Sequence, residues 1–204
     1  MATSPAMPRL LIATQNAHKT TEIAALLGPA WAVSDLNAHP DIPAPEETGE
    51  PFAENAAIKA LAASRLFPGL VLADDSGLEV DALGGAPGVR SARYAGPQAT
   101  DADNRAQLLT ALTALAGVPG KERTARFRCV LVLAEGGEPR ATFDGTVEGT
   151  ILDAERGDGG FGYDSLFVPD GFCETFAQLP AATKNTLSHR GRAMDKARAF
   201  LAAR

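Results

Sequence analysis

The chain has 204 residues, 45% of them hydrophobic and 22% charged, and a formal net charge of -6. Such a length suits one domain with a sizeable buried interior, while the acidic balance excludes the basic surface on which duplex-binding proteins rely, so no nucleic-acid polymer is expected as a partner. No apolar run approaches a membrane span and Met1–Pro8 lacks the basic start and apolar core of a signal peptide; Cys129 and Cys173 lie far apart without metal-ligand spacing, so a soluble protein of the reducing cytoplasm is expected.

Met1–Pro8 reads as a disordered or extended tail before a single domain over residues 9–204. Leu10-Leu11-Ile12-Ala13 has the compact apolar character of a buried strand. It yields at Thr14-Gln15-Asn16 to a helix in which Ile23, Leu26 and Leu27 share a face before Gly28-Pro29. A second strand is expected over Trp31–Leu36, then an exposed loop, Asn37–Pro51, rich in proline and acids. Phe52–Phe67 carries the clearest helical pattern, with Pro51 suited to its first turn and Pro68-Gly69 to its end. Leu70–Ala73 is predicted as a strand that delivers Asp74 and Asp75 into an Asp-Ser-Gly turn, followed by an alternating strand over Leu78–Leu83.

A Gly/Pro-rich loop, Gly84–Gly96, carries Arg90, Arg93 and Tyr94. Thr100-Asp101-Ala102-Asp103 resembles a capping box and opens a helix that Gly117–Gly120 closes. Phe127–Ala134 and Ala141–Ile151 read as strands of a hairpin turning at Glu135–Glu138; Gly157–Gly162, a strand over Ser165–Val168 and a final helix over Ser188–Ala203 follow. Helices alternate with strands early and strands pair later, so the fold class is α/β, a mixed sheet flanked by helices.

Four segments could carry chemistry. Asp74 and Asp75 are placed to hold Mg²⁺ beside a phosphate, or only to satisfy backbone donors in a turn; Glu46 or Glu47 matters if the fold brings it to Asp75. Thr14-Gln15-Asn16-Ala17-His18-Lys19 sits at a strand-to-helix junction, where helix-start amides and a lysine can cradle phosphate, or where Asn16 merely caps the helix. Gly157–Gly162 matches G-x-G-x-x-G, yet no helix is predicted after it, so dinucleotide binding is rejected. The loop instead presents Phe161 and Tyr163 for stacking on a nucleobase, or plugs the core with them. Lys184 and Ser188-His189-Arg190-Gly191 offer donors to a phosphate or purine edge, or form a solvated basic turn. Three scattered histidines give no zinc site.

In this order the segments 13–19, 46–49, 52–56, 73–78, 84–94, 159–164 and 188–191 make the chain resemble the inosine/xanthosine triphosphate pyrophosphatase family from Leu11 to Leu201. The resemblance implies a long mixed sheet bent into two lobes with a central cleft, a homodimer, and hydrolysis of ITP, dITP and XTP to monophosphate and pyrophosphate. It implies that Thr14 to Lys19 hold the triphosphate, that Glu46 and Asp75 bind Mg²⁺, and that Asp75 accepts the proton. Ser76, Phe161, Gly162, Tyr163, Asp164, Lys184, His189 and Arg190 would contact the nucleotide. Gln15 departs from the glycine of many relatives. A non-hydrolysing nucleotide-binding module, or a Maf-like pyrophosphatase for modified pyrimidines, are the alternatives; Lys19, Glu46 and Asp75 together speak against the first, and Ser-His-Arg-Gly against the second.

Overall fold

Leu10, Leu11 and Ile12 are wholly excluded from solvent in the computed structural model, which describes residues 7–118 and 122–203. The tail expected over Met1–Pro8 thus lies outside the described residues up to position 6, as does the Pro119-Gly120 part of the expected helix stop. An unbroken apolar run of this kind suits a strand covered on both faces, and β1 (Arg9–Ile12) is parallel to both its neighbours, β2 (Ala32–Asp35) and β3 (Leu70–Val80). Between them run α1 (Ala17–Leu27), which buries Ile23 and Leu27, and α2 (Phe52–Ser64), whose covered stripe includes Phe52, Ala56, Ala60 and Ala63.

The rest of the chain adds α3 (Asp101–Thr113), β4 (Thr124–Glu135), β5 (Glu138–Ile151), β6 (Phe167–Pro169), α4 (Ala181–Leu187) and α5 (His189–Ala202). The strands form one mixed six-stranded sheet in the order β2-β1-β3-β4-β5-β6, flanked by helices, as the α/β pattern predicts. Gly136 and Gly137, with φ of +62° and +84°, make the tight hairpin between β4 and β5, a turn that needs positive φ at both central positions. Thr100 and Asp103 form the predicted capping box on α3, and Ser188 caps α5 by accepting from the Gly191 amide at 3.1 Å. The short α4 and the 3-10 turn at Gly88–Arg93 are additions to the expected elements, whereas a 3-10 turn at Asp81–Leu83 replaces the end of the strand expected over Leu78–Leu83.

The expected turn at Asp74–Gly77 is not formed. A single eleven-residue strand, β3, runs through all four residues, with Asp74 and Asp75 only 1% and 6% exposed. Local turn propensity is overridden because lysines from α1 and α2 meet the two carboxylates inside the sheet layer.

The chain divides into two compact units. One comprises Met1–Asp75, Val130–Phe143 and Ala193–Arg204; the other Ser76–Cys129 and Asp144–Arg192. The first has its core on β1, on Val71 and Leu72 of β3, and on the covered faces of α1 and α2. The second is centred on Leu78, Val80, Leu108, Leu112, Val147 and Ile151 with an aromatic group, in which Phe127 lies 4.8 Å from Phe167 and 5.9 Å from Phe176.

At the α4–α5 junction a Cβ on Gly191 would collide with the backbone oxygen of Asn185. Gly191→Ala should therefore lower stability by about 1–3 kcal/mol through overpacking, although glycine to alanine in an open helix gains up to about 1 kcal/mol. The urea midpoint reads the sign, and an unchanged or raised midpoint would show that the junction relaxes freely.

Candidate active site

In the first unit the site begins where β1 ends. Thr14 accepts a hydrogen bond from the Asn16 amide at 3.1 Å, and Asn16 Oδ1 accepts from the amides of His18 at 2.9 Å and Lys19 at 3.2 Å. Asn16 is therefore the α1 cap, and two helix-start amides already face its side chain. Gln15, Ala17 and His18 are exposed. Lys19 is not a solvated side chain: its Nζ lies 2.5 Å from Asp74 Oδ1, and the Asp74 side chain is fully buried.

Asp75 is met from α2. Lys59 Nζ donates to Asp75 Oδ1 at 2.9 Å, to the Asp74 backbone oxygen at 2.9 Å and to Glu47 Oε1 at 3.0 Å. One turn earlier Asn55 accepts from the Gly49 amide at 2.8 Å and donates to the Gly49 carbonyl at 3.0 Å, pinning the acidic loop to the helix. A Cβ at Gly49 would come within 2.8 Å of Asn55 Oδ1, so the grip needs glycine.

Burial pushes the Asp75 carboxyl above the ordinary aspartate value, against the attraction of Lys59 and Lys19. Burial alone would lower the Lys59 ammonium, but Asp75 and Glu47 outweigh it and hold Lys59 protonated. The glutamate tied to Asp75 through this cation is Glu47; Glu46 is exposed and makes no polar contact among the described residues.

Asn55 falls within the 52–56 segment but has no role assigned to it there, and Lys59 lies outside every motif. The signal for both is positional, since each falls on the covered stripe of α2 with Phe52, Ala56, Ala60 and Ala63. A charged or amide side chain on such a stripe needs a buried partner.

Among the described residues no group of three or more His, Cys, Asp or Glu side chains forms a metal cage. Asp75 Oδ2, however, is buried and has no hydrogen-bond partner. One open carboxylate oxygen fits Mg²⁺, which keeps several waters and is commonly held by one or two carboxylates together with substrate phosphates.

In the second unit β3 continues through Ser76, whose hydroxyl accepts from Arg190 Nη2 at 2.9 Å. Arg190 is 2% exposed, and Lys184 and His189 are also buried, so the segment is no solvated basic turn. Lys184 Nζ is 2.6 Å from Asp164 Oδ2, which also accepts from the Phe161 amide at 2.9 Å. The His189 ring stacks on Phe127 with centroids 4.8 Å apart. Phe161 is half-buried, with Lys184 Nζ 5.1 Å and Arg190 Cζ 5.7 Å from its ring centre.

The two expected stacking rings part company here. Tyr163 is buried in the core, its hydroxyl donates to the Ser91 carbonyl at 2.8 Å, and burial raises its pKa. Phe161 alone of the pair leaves ring area for a planar ligand, beside Gly162, which has φ of +60°.

The chain matches the Ham1 family over residues 10–200. The chain belongs to that family. A dITP/XTP pyrophosphatase of Geobacter sulfurreducens is 50% identical over 189 residues, spanning 92% of this chain and 94% of that protein. A dITP/XTP pyrophosphatase of Desulforamulus reducens is 49% identical over 194 residues and 95% of both chains. Among solved structures, a HAM1 protein from Coxiella burnetii has a TM-score of 0.86 at 39% identity, over 97% of this chain and 100% of that one. A nucleoside-triphosphatase/dITP/XTP pyrophosphatase from Mycobacterium abscessus has a TM-score of 0.70 at 38% identity, over 93% and 98%.

The Lys59 network and the exposed Glu46 can be told apart by stability. Lys59→Met strands a buried carboxylate and should cost about 3–5 kcal/mol in urea denaturation, whereas exposed Glu46→Gln should stay within about 0.5 kcal/mol of the parent. Equal midpoints for the two variants would contradict the network.

Proposed function

We propose that this chain hydrolyses noncanonical purine nucleoside triphosphates, ITP, dITP and XTP, to the monophosphate and pyrophosphate, and so clears the nucleotide pool. The observation that carries this reading is identity of about half, over more than nine-tenths of both chains, to proteins named dITP/XTP pyrophosphatases. The chemistry of the two constellations supports it. The first unit offers lysines and a carboxylate with one open buried oxygen, which suits a triphosphate. The second offers buried cations and a half-exposed ring, which suits a purine.

In this reading Thr14 to Lys19 receive the triphosphate at the start of α1, where the helix dipole and Lys19 offset its charge while the His18 and Lys19 amides stay with Asn16. Water attacks the α-phosphorus; the new P–O bond forms as the bond to the bridging oxygen breaks, pyrophosphate leaves, and Asp75 takes the water proton. Lys59 fixes the orientation of Asp75 through Oδ1 and leaves Oδ2 open. Mg²⁺, which Asp75 and the uncommitted Glu46 would hold, supplies charge neutralisation at the phosphates when bound.

Base choice follows from donors. Hypoxanthine and xanthine present a 6-oxo acceptor where adenine presents a 6-amino donor, and Arg190 is a donor only. A buried donor left facing adenine's amino group is penalised heavily. Ser76, Asp164, Lys184 and His189 complete the proposed nucleotide contacts around Phe161 to Tyr163, with Tyr163 acting through the loop it anchors. A cytoplasmic homodimer is part of the proposal. Both cysteines are free, as in a reducing compartment, and no helix among the described residues is long and apolar enough to cross a membrane.

The test is pyrophosphate release from ITP, dITP, XTP, GTP and ATP, with Mg²⁺ present or chelated. Release from the first three should exceed that from ATP by about 10²-fold or more in kcat/KM, should vanish on chelation, and should fall about 10²- to 10⁴-fold in Asp75→Asn. Binding without release would point instead to a regulatory module.

A further inference from the structure

Gly162 follows Phe161 in the loop, and α3 holds both sides of its backbone. The Gly162 amide donates to Asp101 Oδ2 at 2.7 Å, and the Gly162 carbonyl accepts from Arg105 Nη1 at 2.9 Å. Asp101 and Arg105 are four residues apart on α3, hence on one face, and they offer an acceptor and a donor matched to the donor and acceptor of one residue. Arg105 is itself oriented: its Nε lies 2.8 Å from Glu155 Oε2, and that oxygen accepts from Ser165 Oγ at 2.9 Å. Burial would raise the Glu155 carboxyl, but the Arg105 guanidinium beside it and the Ser165 hydrogen bond outweigh it and hold it below the usual range, so it is ionised at neutral pH.

The helix is a firm base for such a grip. Its first turn is closed by the Thr100/Asp103 capping box, and Leu108 and Leu112 seat it in the core of the second unit. Phe161 is tied on both flanks, through its own amide to Asp164 and through the following amide to Asp101. Its side chain stays half-buried beside Lys184 and Arg190. Hydrogen bonds fix the backbone that carries this ring, while the ring itself retains surface for a ligand.

We propose that Asp101 and Arg105 are positioning residues that lock the backbone at Gly162 and thereby place the Phe161 ring for the purine base, with Glu155 and Ser165 orienting Arg105. The assignment rests on the nucleotide reading above. It locates part of base affinity on a helix that supplies none of the residues proposed to contact substrate. Loosening the clamp should weaken binding of the base and leave the chemistry at Asp75 intact, a rise in KM at nearly constant kcat.

The experiment compares Arg105→Met, Asp101→Ala and Asp101→Asn with wild type in the full-length enzyme, by hydrogen exchange of a peptide spanning 157–166 and by steady-state kinetics on ITP and XTP. Arg105→Met and Asp101→Ala should exchange faster at Gly162 and raise KM about five- to tenfold, the loss expected for one hydrogen bond, with kcat changed less than about twofold. Asp101→Asn keeps an acceptor for the Gly162 amide and should behave as wild type in both measurements. Faster exchange with KM unchanged, a fall in kcat matching the rise in KM, or Asp101→Asn as impaired as Asp101→Ala would overturn the positioning role. A wild type that releases no pyrophosphate from any purine triphosphate would overturn the nucleotide reading itself, and the ring's role with it; an active wild type with unaltered variants overturns the clamp alone.

Discussion

Two adjacent carboxylates buried in the middle of one strand set the terms for the first unit. A carboxylate withdrawn from water without a partner costs several kcal/mol, and consecutive strand residues face opposite sides of the sheet, so each carboxylate is paired with a lysine of its own. Asp74 takes Lys19 from α1 and Asp75 takes Lys59 from α2. The demand propagates outward. Asn16 fixes where α1 begins and therefore where Lys19 falls, and Asn55 ties the acidic loop to the same helix whose next turn carries Lys59. Helix starts, loop path and strand register are thus constrained together by the charge state of β3.

Net charge is a poor guide to what such a protein binds. The chain carries -6 overall, yet Lys184 and Arg190 are buried and both lie beside the Phe161 ring. Local charge in a low-dielectric setting governs recognition of a small anion, while dispersed surface acids govern solubility. Lys184 is neutralised in part by Asp164 and Arg190 engages the Ser76 hydroxyl, so the cations are held in place by contacts that need no ligand. Pre-set groups of this kind do not have to be ordered when a nucleotide arrives.

Periodicity made most of the architecture legible, because the β1 run, the α2 stripe, the α3 capping box and the Gly136-Gly137 hairpin are local signals with local causes. Motifs made Asp75, Lys19 and Arg190 legible as candidates. What stayed hidden depends on tertiary partners. Asp-Ser-Gly reads as a turn until Lys19 and Lys59 are placed against it. Lys59 reads as one more helix lysine until its position on the covered stripe is weighed, and Glu46 and Glu47 are indistinguishable until one of them meets that lysine. Tyr163 and Phe161 are two residues apart in the same loop, and only packing against Ser91 sends one to the core.

The Gly157–Gly162 loop shows why a spacing carries no function by itself. In a dinucleotide fold the glycines leave backbone amides open toward a pyrophosphate at a helix start. Here the Gly159 amide donates to Ala177, the Phe161 amide to Asp164 and the Gly162 amide to Asp101, and the chain proceeds to strand β6. The glycines serve other ends: a Cβ at Gly160 would strike the Asp164 carboxylate, and Gly162 supplies a left-handed φ. Amides already bonded within the protein cannot receive phosphate without losing those bonds, so this loop is suited to holding an aromatic ring still.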